Sequence, residues 1–135
     1  MPLLENDVIF AYLNTRDKNH QAAEAIFNAL NHGKLHLDIS SVTLIELELI
    51  YRSQGIEEKL LNHLAALTAL PNIRYVPLTP DLVLASVYLR QTLDLTFFDS
   101  HYAATALKLD RQIISTYRAY DTVPGITRTD PKKYL

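Results

Sequence analysis

Short apolar runs alternate with longer stretches of helical periodicity along the chain, and few architectures accept that rhythm. Met1-Pro-Leu-Leu-Glu5 reads as a short buried strand, and a helix begins near Asp7 with Val8, Ile9, Tyr12 and Leu13. Ala22, Ala23, Ile26, Phe27 and Leu30 recur at helical spacing, which predicts a second helix over Lys18 to His32, ended by Gly33. Leu35 to Ile39 is the next strand, and Ser40 and Ser41 supply the N-terminal hydroxyls for a helix over Val42 to Ser53. A helix over residues 57–70 stops at Pro71, and Ile73 to Pro77 reads as a strand. Helices follow over Thr79 to Thr92 and Asp99 to Leu109, then a strand over Gln112 to Ser115 and a last short one around Ile126. Strands separated by helices call for a parallel sheet with helices on both faces. The expectation is an α/β fold of three layers, α/β/α, with a central parallel sheet of four to five strands and residues 1–135 in a single domain. In such sheets the functional crevice lies beyond the carboxyl ends of the strands.

Composition narrows the chemistry. Hydrophobic residues make up 48% of the chain and charged residues 21%, which is enough apolar material for a core. There is no cysteine, so disulfides, iron–sulfur clusters and thiolate zinc sites are excluded, as suits a reducing, cytoplasmic setting. Glu5 and Asp7 argue against a signal peptide, and no apolar run nears the roughly 20 residues that span a bilayer. Residues 1–107 hold seven Lys/Arg against twelve Asp/Glu, and residues 108–135 hold six against three, so the two parts carry −5 and +3. An excess of three is too small for a dedicated nucleic-acid binder. A polyanionic substrate would need a cation held by the acids.

Three segments far apart in sequence each bring an acid to one edge of the expected sheet. Glu46 has Val42, Leu49 and Ile50 at helical spacing and so shares an apolar face, whereas Glu48 has Arg52 for a partner and an exposed position. An inward carboxylate with no cation nearby is costly to bury. It reads equally as a functional group or as a boundary residue whose head reaches water. Asp99 shares a face with Tyr102, Ala103 and Ala106, although Thr96-Phe-Phe-Asp99 also fits a capping box. Glu5 stands at the end of the first strand, and Asn6 or Asp7 can cap the helix that follows. Hard divalent cations such as Mg²⁺ or Mn²⁺ take such oxygen donors, and crowded carboxylates need a cation to relieve them.

Four segments then fall into a known order. Leu4-Glu-Asn-Asp-Val-Ile-Phe-Ala-Tyr-Leu13, Ser41-Val-Thr-Leu-Ile-Glu-Leu47, Thr96-Phe-Phe-Asp-Ser-His-Tyr-Ala-Ala-Thr-Ala-Leu107 and Ile113-Ile-Ser-Thr-Tyr-Arg-Ala-Tyr-Asp121 resemble PIN-domain proteins, nearest the single-domain VapC-type toxins. The resemblance implies a Mg²⁺- or Mn²⁺-dependent endoribonuclease, an RNA substrate and an antitoxin protein partner. It places Glu5, Glu46 and Asp99 as catalytic metal ligands, with Asp7 as a further ligand and Asn6 and Thr116 in support. The pattern departs at two places. Glu5 stands where the family usually has Asp, and Tyr117 stands where a further Asp is usual; Asp121, four residues on, reads first as an exposed turn or cap and second as a stand-in. A phenol, with pKa about 10, cannot replace a carboxylate ligand. These departures keep a second class open: a degenerate PIN domain that binds RNA or protein without cutting.

Other features carry less. Gly33 breaks the helix that would align His32 with His36 as metal ligands, and His101 is expected on the surface of its helix. Arg111, Arg118, Arg128, Lys132 and Lys133 read as a solvated tail within reach of phosphates. Val83, Val87, Leu89 and Leu93 form a core stripe, part of which would serve a homodimer. A phosphoacceptor receiver-like domain shares this architecture, but Val76-Pro77-Leu78 puts no Asp after the middle strand.

Overall fold

The computed structural model describes residues 1–135. β1 (Leu3–Leu4), β2 (Leu37–Ser40), β3 (Ile73–Val76), β4 (Gln112–Ile114) and β5 (Thr127–Thr129) form one sheet in the order β3-β2-β1-β4-β5. Every neighbouring pair is parallel. Six helices connect them: α1 (Asn6–Leu13), α2 (His20–Asn31), α3 (Ser41–Ser53), α4 (Leu60–Thr68), α5 (Pro80–Thr92) and α6 (Phe97–Lys108). Short 3₁₀ turns cover Glu57–Lys59, Arg118–Thr122 and Pro131–Tyr134. The three-layer α/β/α expectation holds.

β1 is the central strand although only two residues long. Leu3 pairs with Ile113 and Leu4 with Ile114, while Asp38 pairs with Leu3 on the other side. Pleating sends adjacent side chains to opposite faces. Leu4, Ile114, Leu37 and Ile39 pack under α1, α2, α3 and α4, with Ile26, Phe27, Leu47 and Leu67 from those helices. Leu3 and Ile113 pack on the other face with Leu89, Tyr102, Ala103 and Ala106 from α5 and α6.

Caps set the helix ends. Ser40 Oγ accepts from Val42 N at 3.1 Å, Thr79 caps α5 with Pro80 following, and Thr96 Oγ1 accepts from Asp99 N at 3.3 Å. α6 therefore starts at Phe97, two residues before the expected Asp99. Gly33 ends α2 at φ 72°, with Lys34 N bonded to Ala29 O at 2.9 Å.

Connections from β1 run to β2 and β3 on one side, and the chain then crosses back to β4 on the other. The order reverses between β1 and β4, so the crevice expected of a parallel sheet opens above their carboxyl ends. No helix is long and apolar enough to cross a membrane.

Candidate active site

Glu5 follows β1 directly, with extended backbone (φ −80°, ψ 156°), and its own side chain caps α1. Its Oε1 accepts from Asp7 N at 3.3 Å and its Oε2 from Ser115 Oγ at 3.1 Å, just past β4. Neither Asn6 nor Asp7 is the cap, contrary to expectation, because α1 begins at Asn6 and the capping position falls on Glu5. Asp7 is turned toward β4, where its Oδ2 accepts from Thr116 N at 2.8 Å and Thr116 Oγ1 at 2.6 Å. Glu46, from the middle of α3, accepts from Tyr102 Oη of α6 at 2.7 Å. Asp99, in the first turn of α6, accepts from Tyr120 Oη at 3.2 Å.

Each of the four acids is thus tethered by a hydroxyl from another segment: Ser115, Thr116, Tyr102 and Tyr120. Tyr102 and Tyr120 are buried, so the charge-assisted bonds they donate are shielded from competing water. All four carboxylates line one cleft of about 560 Å³, together with Asn6, Phe10, Asp17, Lys18, Asn19, Ile50, Thr116 and Tyr117.

Burial and the neighbouring acids raise the proton affinity of Glu5 and Glu46. Burial lifts the Glu5 carboxyl well above the ordinary glutamate value, and the charge of Asp7 adds to it, followed by the hydrogen bond that protonated Glu5 donates to the Asp7 carboxylate and the charges of Asp99 and Glu46. Burial also lifts Glu46; bonds from Tyr102 and Asn6 oppose that rise, while Asp99 and Asp7 add to it. The Tyr117 phenol is pushed up to about 12, by burial first and then by the charges of Asp7, Glu5, Asp99 and Glu46. The chain supplies a single cation to this lining, Lys18, against five carboxylates.

These residues suit a hard divalent cation by donor type. Asp7 Oδ1 and Asn6 Oδ1 are buried acceptors with no hydrogen-bond partner, an expensive state that a cation would relieve. No three His, Asp or Glu side chains are gathered closely enough to hold a metal ion as they stand. Mg²⁺ commonly binds one or two carboxylates and keeps waters and substrate oxygens for the rest.

The predicted residues Glu5, Asn6, Asp7, Glu46, Asp99, Thr116 and Tyr117 all come together here. Asp121 does not: Arg128 grips both its oxygens, at 3.0 and 3.1 Å, outside the cleft. Arg128 also donates to Ser115 O at 3.0 Å, so this part of the expected tail is anchored structure. His101 is buried, not on the surface, where it packs against the Phe97 ring. Arg52 pairs with Glu57 at 3.8 Å instead of Glu48, which is half-buried. Leu49 is exposed beside Glu46, and of the α5 stripe only Leu89 is fully in the core, with Val83 exposed.

Lys18, Asp17 and Asn19 were not expected at the site. They lie in the α1–α2 connection, and nothing in that polar run except its following a carboxylate-bearing helix points to the cleft. The tethering roles of Tyr102, Tyr120 and Ser115 were also missed. Tyr102 shares a helical face with Asp99, which was a legible signal.

The PIN-domain model matches residues 3–120. The chain belongs to the PIN-domain family. Among curated proteins none matches the chain in sequence. In fold this PIN domain is similar to VapBC2 from Rickettsia felis, solved bound to a DNA fragment from their promoter. The TM-score is 0.75 at 14% identity, covering 95% of this chain and 96% of that one. A toxin–antitoxin complex from Klebsiella pneumoniae gives 0.64 at 20% identity, covering 94% and 96%. FitAcB from Neisseria gonorrhoeae gives 0.64 at 17%, covering 98% and 99%. At such identities the likeness is one of fold.

Proposed function

We propose that this PIN domain is a Mg²⁺- or Mn²⁺-dependent endoribonuclease, the VapC-like toxin of a toxin–antitoxin pair. The observation that carries the reading is the convergence of Glu5, Asp7, Glu46 and Asp99 from three separate segments on one cleft, each tethered by a hydroxyl. Glu5, Glu46 and Asp99 would hold the cation with Asp7, and Asn6 and Thr116 would keep the donors in place. A bound divalent ion supplies Lewis-acid stabilisation of phosphate charge and lowers the pKa of its water. The chain's own part is to orient and to exchange protons. Tyr102 and Tyr120 fix Glu46 and Asp99, Thr116 fixes Asp7, and Glu5 and Glu46, whose proton affinity is raised, would give up any proton they hold to a cation, so that metal affinity would fall with falling pH. Lys18 meets a substrate phosphate at the mouth of the cleft.

The Klebsiella pneumoniae structure solved as a toxin–antitoxin complex shares this fold over 96% of its chain, which supports an antitoxin protein as partner. Exposed Leu84 and Tyr88 on α5 support a homodimer. A second reading, a PIN domain that binds without cutting, is favoured by Tyr117 in place of a further acid.

The deciding experiment incubates the purified protein with unstructured RNA and Mn²⁺. The wild type cleaves, and Asp99→Asn and Glu46→Gln lose at least about two orders of magnitude, as is typical when an essential carboxylate is removed. No cleavage by the wild type, with RNA binding retained, establishes the second reading. Equal cleavage by Asp99→Asn removes the first.

A further inference from the structure

The cleft sets a problem for any polyanion. Five carboxylates and one ammonium line it, so a nucleic-acid strand needs an attraction that does not depend on charge, even with a cation present. Tyr117 is placed to give one. Tyr102 and Tyr120 are buried and spend their hydroxyls on Glu46 and Asp99, but Tyr117 is 51% exposed while lining the same cleft. Its hydrogen bond within the chain runs through the backbone, from Tyr117 N to Ser115 Oγ at 3.0 Å, leaving the phenol free.

The segment that carries the ring is held at every residue. Ser115 Oγ donates to Glu5, Thr116 donates twice to Asp7, and Tyr117 N donates to Ser115. An exposed ring on a pinned backbone loses little freedom when a planar ligand lies on it. Every nucleobase has such a face, and it is available only where the strand is unpaired.

We infer that Tyr117 is a stacking platform for an unpaired nucleobase of the RNA strand that enters the acidic cleft, making it a positioning residue for single-stranded substrate. This rests on the RNA reading above but not on cleavage. Tyr117→Ala weakens binding of single-stranded RNA by about 5- to 140-fold, the span of one base–aromatic stack. Tyr117→Phe keeps the ring and stays within about twofold of the wild type.

The test is fluorescence anisotropy with a short unstructured RNA and with a duplex of the same sequence, in Ca²⁺ so that binding is read apart from cleavage. Loss by Tyr117→Ala on the single strand alone, with Tyr117→Phe retained, is the expected result. The inference is overturned if Tyr117→Ala binds the single strand like the wild type, if the duplex loses as much, or if the wild type binds no single strand. Mn²⁺-dependent cleavage is measured in parallel. Tyr117-dependent binding without cleavage retires the nuclease reading and keeps the platform, while cleavage with Tyr117-independent binding does the reverse.

Discussion

Replacing Tyr102 by Phe deletes one oxygen and leaves the ring in its buried position, so the change isolates the bond to Glu46. At 2.7 Å it is a short contact to a charged acceptor, a class that contributes about 1.5–3 kcal/mol. Glu46 is only half-buried, so water regains roughly half of that, leaving a cost of about 1–1.5 kcal/mol at neutral pH. For a domain of this length that lowers Tm by about 3–6 °C. The loss depends on pH. Burial already holds the Glu46 carboxyl above its ordinary value, and the Tyr102 bond opposes that rise, so Tyr102→Phe raises it further. A carboxyl raised on folding leaves stability intact below its unfolded value and removes it as pH climbs through the folded value. The variant's deficit is therefore largest at pH 7.5. It shrinks to about 0.5 kcal/mol at pH 4, where the bond is neutral in character. Urea denaturation at the two pH values, with Glu46→Ala and the double variant to close a cycle, measures it. An equal deficit at both pH values, or strict additivity with Glu46→Ala, would refute the claim that this hydroxyl acts by holding a charged carboxylate.

Two further outcomes follow from the same electrostatics. Glu5→Gln removes the most crowded charge, and because the Glu5 carboxyl is raised on folding, the metal-free variant is more stable than the wild type at pH 7 by about 0.5–2 kcal/mol; the gain vanishes below about pH 4.5, as thermal melts across pH will show. Arg74→Ala strips the partner from Asp38, which is fully buried and bonded at 2.7 and 2.9 Å, and lowers the urea midpoint of the fold, while Mn²⁺ affinity by calorimetry stays unchanged because the pair lies toward the amino-terminal end of the sheet, away from the cleft.

Much of this molecule was readable before any coordinates. The strands at Leu3–Leu4 and Ile113–Ile114 announce themselves because apolar pairs between helices have no comfortable place except a buried parallel sheet, whereas the edge strand Ile73–Val76 shows as an alternating run closed by Pro77. Glu46 and Asp99 were legible for the complementary reason, as acids on faces otherwise meant for the core. The tethers were not, because Ser115 to Glu5 and Thr116 to Asp7 span 110 and 109 residues of sequence, and local periodicity carries no trace of such pairs. His101 misled for a similar reason: its helix is nearly enclosed on every side, so the rule that opposite faces alternate between core and solvent fails there.

The strap at Ser115-Thr116-Tyr117 separates two jobs that many sites force onto one residue. Its hold on the acids uses the hydroxyls at 115 and 116 and the backbone amides at 116 and 117, and none of it uses the side chain at 117. Position 117 can therefore be exchanged through successive generations without loosening the carboxylates beneath it. A scaffold wired this way can change what it grips while keeping the geometry with which it would act, which makes 117 the natural place for selection, or a library, to work.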